Sequence, residues 1–549
     1  MSEFMSQLLG PALETGRGLW SGPSTDLTET SWTEISARAA IMAGRLQSLG
    51  VGHGSRVAML ALDPADVAPL AQAVWMRGAA LTMLQQPTPQ ADLGEWQAGC
   101  RSVVAMLGIE HLVLGEPFLA VADGFAEHGP TIVRLDDDWG TTPGDLVDCA
   151  EEDIAVYQLT SGSTGSPKAV AISHGNLHAN GIAMRGGSLG TPEVDVMVSW
   201  LPLSHDMGMI GFLVTPMAFG FKAVCVSPLE FLRSPLNWLR IITDHRGTIT
   251  AAPNFAYSII QRRLARVEQN AHYDLSTLRF ALCGAEPIDP AAMRGFCAAA
   301  GRFGFSPNAV VAAYGMAEAT LAVSFAGLGG GMTVEVVDSE QLAGGGRAVP
   351  VTAADDAPAG REVVLLGRPL SGMEVRVATG AQADPGPRVV GELLIRGAAV
   401  TSHYLTTEGR LDAVDGDGWL HTGDVGYLTE DGQVAICGRS KNVIIVSGRN
   451  IYPADVERVA ELVDGVRRGG VVAFGTSAAG RPEELRVVVE VGGGDLDHRE
   501  IQRAVARRVF DRIGVSPKVL TRPRGAIPKT PSGKIRHVEA KAVFAGVTV

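Results

Sequence analysis

The chain has 549 residues, 46% apolar and 19% charged, with a formal net charge of −13 and a pI near 5.5. Such a composition is that of an ordinary globular protein. The acidic balance argues against nucleic acid as a partner, because backbone-phosphate binders carry a basic face. The six cysteines, at 100, 149, 225, 283, 297 and 437, are too scattered for a disulfide framework or a structural zinc. Uncharged runs such as 207–221 fall short of a membrane span. The N-terminus lacks a basic-then-apolar leader, so the expected location is cytoplasmic.

Along residues 1–150, helix-period stretches alternate with short apolar runs. Residues 32–49 read as a helix capped by Ser31, and 57–61 and 131–135 read as strands. That alternation predicts an α/β layered unit with a largely parallel sheet.

Next, Ile154-Ala155-Val156-Tyr157 and Ala169-Val170-Ala171-Ile172 read as strands around a loop of hydroxyls and glycines. The loop carries Thr160, Ser161, Gly162, Ser163, Thr164 and Gly165 and ends at Lys168. Its glycines let backbone N–H groups approach anionic oxygens, and its hydroxyls add donors. Lys168 supplies a compact positive charge. Of 46 basic residues only seven are lysines, and none precedes Lys168. The spacing differs from the Walker pattern, and a solvated Ser/Gly-rich hairpin is the competing reading.

His205 beside Asp206 introduces the apolar stretch 209–226. The pair reads either as an acid/base or gate at a pocket mouth, or as a capping and packing feature. Three strand ends then run into loops: Ala252-Pro253-Asn254-Phe255, Cys283-Gly284-Ala285-Glu286, and Ala313-Tyr314-Gly315-Met316-Ala317-Glu318. Ligands of parallel sheets sit beyond such carboxyl ends, so together these loops could frame a purine and its metal ion; each alone reads as a core strand running into a turn. Residues 327–361 are Gly- and Ala-rich and weakly patterned, and read as an extended insertion. Asp424 suits a ribose diol and Arg439 a phosphate or ribose oxygen; a turn aspartate and a surface arginine are the plain alternatives.

From about residue 440 the pattern restarts as a small unit. Strands are expected at 443–446, 471–474 and 485–491, and helices at 453–463 and His498–Ile513. Arg467, Arg468, Arg503, Arg507 and Arg508 form a candidate basic patch for an acidic partner, or a solvated helix face. Pro531-Ser532-Gly533-Lys534 reads as a mobile basic finger or a solvated tail.

Together and in this order, these stretches resemble the adenylate-forming superfamily of acyl-CoA synthetases, luciferases and nonribosomal adenylation domains, over nearly the whole chain. Four segments are similar to fatty acyl-AMP ligases in particular: Leu201-Pro202-Leu203-Ser204-His205-Asp206-Met207-Gly208, Ala252-Pro253-Asn254-Phe255-Ala256-Tyr257, Gly284-Ala285-Glu286-Pro287 and Gly448-Arg449-Asn450-Ile451-Tyr452-Pro453. The long interval between Glu318 and Leu365 matches an insertion of those ligases that is thought to hinder CoA use. The wording also resembles the ligase that loads lipid chains for mycobactin-type siderophores.

The resemblance implies an α/β fold in two parts. Residues 1–438 would form a large adenylate-forming domain of layered sheets and helices with a small β subdomain. Residues 439–549 would form a small mobile α+β lid hinged near Lys441. The implied reaction is ATP- and Mg2+-dependent activation of a medium- or long-chain fatty acid to acyl-adenylate. Transfer to a holo acyl carrier protein, or to a carrier domain of a polyketide or nonribosomal synthetase, would follow.

By the same resemblance, Lys534 lies between the carboxylate and the α-phosphate, Glu318 holds magnesium, and the Thr160-to-Lys168 loop holds the β- and γ-phosphates. Gly284, Ala285, Glu286, Tyr314, Gly315 and Met316 frame the adenine, and Asp424 and Arg439 take the ribose. His205 guards the thiol entrance. Met207, Phe212, Asn254, Phe255 and Tyr257 are the expected acyl pocket. Two departures are visible: Asn442 follows Lys441 where Asp is usual, and Ala454 stands where Gln is common. A fatty acyl-CoA ligase and a non-catalytic adenylate-binding protein are the alternative readings.

Overall fold

The computed structural model describes residues 1–549 except 88–91, 127–128, 162–166, 269–271, 345, 352–359, 381, 384, 447–448, 477–482, 493–496, 530–534 and 548–549. The first long helix forms over Trp32–Ser48. Ser31 and Glu34 cap it reciprocally: the Ser31 hydroxyl accepts from the Glu34 N–H, and the Glu34 carboxylate accepts from the Ser31 N–H at 2.8 Å. That box satisfies donors a helix start leaves unpaired. Trp32, Ile35, Ala39, Met42 and Leu46 make a buried stripe at helical spacing.

Among the described residues, two large sheets carry the N-terminal part. One has eight strands, whose parallel members include Arg56–Leu60, Ala80–Met83, His111–Leu114 and Thr131–Arg134. The same sheet takes in the hairpin of Ile154–Ser161 and Pro167–Ser173, which is antiparallel, and ends on His403–Thr406 and Gly409–Asp412. The other has nine strands; Lys222–Cys225, Val196–Ser199, Ile249–Ala252, Phe280–Cys283 and Val310–Gly315 run parallel at its centre. Their side chains are almost continuously buried, as expected for parallel strands covered on both faces. A five-stranded antiparallel sheet holds Leu420–Leu428 beside Val434–Arg439.

The apolar stretch after Asp206 coils as a π-helix over Met207–Val214, runs on into the helix Thr215–Phe219, and then pairs as the strand Lys222–Cys225. The Gly/Ala-rich insertion is more ordered than its composition indicates. Val334–Asp338 pairs antiparallel with Gly360–Val364, and the helix Ser339–Gly344 follows the first strand. Arg361 on that hairpin binds Asp455 at 2.9 Å, donates to the Cys437 carbonyl, and stacks on Tyr452 at 4.6 Å.

Beyond residue 440, the strands Val466–Thr476, Glu484–Val491 and Lys518–Arg522 form a sheet against the helices Pro453–Ala460 and His498–Ile513. Val456, Val471, Val487, Val489, Val505 and Val509 build its own core. All six cysteines are free. Among the described residues, no helix is long and apolar enough to cross a membrane.

Candidate active site

The hairpin that begins the hydroxyl loop sets Thr160 opposite Lys168 and Ser161 opposite Pro167. Gly162, Ser163, Thr164 and Gly165 lie outside the described residues, as does the Ser161 side chain. The Lys168 ammonium rests over the Tyr404 ring, 3.0 Å from its centroid. The Tyr404 hydroxyl in turn stands 3.4 Å from a Glu318 carboxylate oxygen. One aromatic ring therefore separates the loop lysine from the candidate metal carboxylate. Burial lowers the Lys168 pKa, with Glu318 opposing; burial likewise raises that of Glu318, against Lys168 and Arg439. Both groups are short of solvation, which primes them for an anionic phosphate and a cation respectively.

Gly315 sits at a bulge where the strand Val310–Gly315 leaves register with its neighbour. A Cβ there would come within 2.2 Å of the Leu321 carbonyl oxygen, so only glycine fits. Tyr314, just before it, donates its hydroxyl to Asp424 at 2.7 Å, and its oxygen lies 3.6 Å from the Met316 sulfur. Arg439 binds the other Asp424 oxygen at 2.8 Å. Strand pairing places Asp424 directly opposite Arg439. Burial raises the Asp424 pKa, while Arg439 and Tyr314 counter it. The structure thus joins Tyr314, Asp424 and Arg439, three residues from distant stretches, into one polar cluster.

Glu318 has the chemistry for magnesium, which binds through one or two carboxylates plus phosphates and waters. Among the described residues there is no cluster of three or more His, Cys, Asp or Glu that could cage a metal by itself.

One cavity of about 310 Å3 is lined by Tyr314, Glu318 and Arg439 of these groups, and not by Lys168, Tyr404 or Asp424. At its polar end lie Thr160, His205, Gly284, Ala285, Tyr314, Gly315, Met316, Glu318 and Arg439. Ala285 takes a φ of 66°, rare for a residue with a Cβ, and turns the backbone at the strand end. The rest is a largely apolar channel past Met207, Phe212, Met197, Ile249 and Phe280 that also reaches Arg185 and Ser188. His205 Nδ1 lies 2.6 Å from Asp206 at its wall.

Three expected acyl-pocket residues and one adenine residue are not on this wall. Asn254, Phe255 and Tyr257 begin the helix Asn254–Leu264, which turns Tyr257 into an aromatic cluster with Trp238 and Phe296. The buried Tyr257 hydroxyl donates to the Leu282 carbonyl at 2.8 Å. Asn254 accepts from the Asp289 N–H, and Phe255 packs edge-on against Trp200. Glu286 accepts from the Phe255 N–H at 2.6 Å, so it supports the loop from behind. Lys441 stands in the turn Ser440–Asn442, and Lys534 lies outside the described residues.

Gln158, Ser204 and Arg536 also line the cavity and were not anticipated. Gln158 is buried and donates to the Ser204 carbonyl at 2.9 Å, tying the hairpin of Ile154–Ser161 and Pro167–Ser173 to the His205 loop. A glutamine inside the apolar run Ile154-Ala155-Val156-Tyr157-Gln158-Leu159 was the available signal.

Comparison with known proteins identifies the family. A family model described as AMP-binding enzyme matches residues 21–405. A ligase of Mycobacterium tuberculosis designated Rv1013 is 44% identical over 98% of this chain and 99% of its own. The long-chain-fatty-acid–AMP ligase FadD26 of Mycobacterium bovis is 31% identical over 94% of this chain and 91% of its own. A solved structure from work on fatty acyl-adenylate ligases of E. coli and L. pneumophila superposes with a TM-score of 0.89 at 30% identity, covering 98% of this chain and 97% of that one. The chain belongs to the AMP-binding enzymes and is an adenylate-forming ligase with fatty acyl-AMP ligase homologues.

Proposed function

We propose that this ligase activates a medium- or long-chain fatty acid as its acyl-adenylate and passes the acyl group to the phosphopantetheine thiol of an acyl carrier protein. The observation that carries the reading is one cavity that joins Thr160, Tyr314, Glu318 and Arg439 to a largely apolar channel. A carboxylate held at that junction has its alkyl chain buried and its oxygens beside the nucleotide groups.

In the first step a carboxylate oxygen attacks the α-phosphorus in line. The new O–P bond forms as the bond to the β-phosphate bridging oxygen breaks, and pyrophosphate leaves with that electron pair. Two anions meet, so charge cancellation dominates the barrier. Lys168 and the Thr160 loop hold the β- and γ-phosphates, and Lys534 bridges the carboxylate and the α-phosphate. Tyr314 and Gly315 frame the adenine, while Asp424 and Arg439 hold the ribose. Glu318 would hold magnesium, which supplies positive charge to the phosphate oxygens.

The unit 439–549 acts as a lid hinged at the turn around Lys441, and His205 stands at the thiol entrance. A lipid or lipidated-siderophore pathway is the use this reading favours. A relative in Caulobacter vibrioides named as an acyl-CoA synthetase, 34% identical over 97% of this chain, keeps CoA as the acceptor to test against.

Lys534→Ala is expected to lower acid-dependent pyrophosphate release by orders of magnitude while ATP still binds. Pyrophosphate kinetics with a fluorescent-ATP titration check this. Normal release by the variant would remove Lys534 from the chemistry.

A further inference from the structure

We infer that the far end of the acyl channel is a subsite for an anionic ω-group, so that the chain selects α,ω-dicarboxylic acids; this rests on the acyl-adenylate reading above. The channel follows the strands of the nine-stranded sheet from their carboxyl ends to their starts. Gly284 and Ala285 line one end, and Ile249 and Phe280, the first residues of their strands, line the other. From Gly284 back to Phe280 is four steps at about 3.3 Å, or about 13 Å. A zigzag chain of C–C bonds near 1.5 Å advances about 1.25 Å per carbon, so about ten methylenes fill that length.

At the far end the wall is no longer apolar. Arg185 and Ser188, in the last turn of the helix His174–Ser188, both line the channel. Ser188 is held there because its carbonyl accepts from Arg279 at 2.7 Å, and Arg279 directly precedes Phe280. Arg279 itself is committed to Asp195 at 2.5 Å. Arg185 is not committed in this way. Its Nε donates to the Gly190 carbonyl at 3.3 Å and its guanidinium stands 5.9 Å from the Phe219 ring centroid. Among the described residues no carboxylate pairs with it, which leaves its two terminal nitrogens to meet whatever emerges from the channel. A carboxylate matches that fork in geometry and charge.

The competing role for Arg185 is a helix-end cation facing the carbonyl end of the dipole. That role makes no distinction among acyl chains. Because Arg185 is exposed, the expected gain is that of a solvated ion pair, a few-fold and at most about five-fold.

The test is acid-dependent pyrophosphate release by the full chain with ATP and magnesium. Dodecanoic acid is compared with its ω-hydroxy and ω-carboxy counterparts, in wild type, Arg185→Ala and Arg185→Glu, at low and high salt. The wild type is expected to favour the ω-carboxy acid through KM, with the preference shrinking at high salt. The ratio of ω-carboxy to plain acid should collapse in Arg185→Ala and invert in Arg185→Glu. Equal use of the two acids by the wild type, or a ratio unchanged by either substitution, would overturn the inference and leave the acyl-adenylate reading standing. Failure of every acid to release pyrophosphate would overturn both.

Discussion

Tyr314 and Asp424 are separated by 110 positions and meet at 2.7 Å inside a buried polar cluster. A carboxylate so placed needs both of its partners, because each removes part of the cost of burying its charge. Tyr314→Phe leaves Asp424 with Arg439 alone. The expected result is a loss of about 1–3 kcal/mol in stability and a rise of about tenfold in KM for ATP. Differential scanning calorimetry and pyrophosphate kinetics measure the two. An unchanged KM would mean that the cluster serves the fold only.

The residue types of this cluster could be singled out from the sequence, since an aspartate between glycine and strand and an arginine closing a strand are both chemically apt. Their mutual contact could not, because it depends on the pairing of Leu420–Leu428 with Val434–Arg439 and on where Val310–Gly315 ends. Tyr257 shows the opposite failure. It follows a strand end, as a pocket residue should, but the helix that starts at Asn254 rotates it into the core.

At the scale of elements, the insertion hairpin grips the C-terminal unit through Arg361. Its guanidinium is sandwiched between Asp455, the Cys437 carbonyl and the Tyr452 ring. Asp455 keeps Arg458 at 3.0 Å when Arg361 is removed, so the loss should lie at the lower end for a buried pair, about 3 kcal/mol. Arg361→Ala is expected to expose the C-terminal unit to limited proteolysis and to raise acyl-CoA formation. If neither changes, the hairpin does not restrain the unit. The hairpin escaped the sequence reading because Val334–Asp338 is half exposed and lacks clean alternation. The helix Trp32–Ser48, with its capping box and apolar stripe, announces itself locally.

The N-terminal helix Glu3–Leu9 docks through a second buried contact. The Ser2 hydroxyl lies 3.1 Å from His174 Nδ1, and Phe4 packs edge-on against the imidazole. Burial pushes the His174 pKa down to about 4 from the usual 6.5, with Asp153 opposing. Between those values the unfolded chain binds a proton that the folded one refuses. Stability therefore rises with pH across this window, and about 3 kcal/mol is lost as pH falls from 6.5 to 4. Guanidinium melts across that range should show a steeper loss for the wild type than for His174→Gln. Parallel profiles would rule out a neutral buried His174.

For the whole molecule, a large part and a small C-terminal unit carry their own cores and meet at the turn Ser440–Asn442 and at the contacts of Arg361 with Asp455 and Tyr452. The large sheets share one apolar core, and the unit beyond residue 440 builds another. The helix His498–Ile513 falls where the amphipathic pattern puts it. The relative placement of the two parts depends on side chains such as Arg361, which periodicity cannot report. The proposed lid motion about Lys441 needs such a division of the core.

Under the proposed transfer, this acidic chain would meet an acidic carrier protein through a local basic patch. Arg467 is committed to Glu490 at 2.5 Å, whereas Arg503, Arg507 and Arg508 are exposed on the helix His498–Ile513. In the proposed reading that exposed face, on which Arg507 also stands 3.8 Å from Asp511, is where an acidic carrier would dock.

The most direct test of the account follows a radiolabelled fatty acid with ATP and magnesium, divided between CoA and a panel of holo acyl carrier proteins. The account predicts acyl-adenylate that accumulates in the presence of CoA and is consumed when the correct carrier protein is added. Efficient acyl-CoA formation without a carrier would contradict it, and would make this an acyl-CoA ligase.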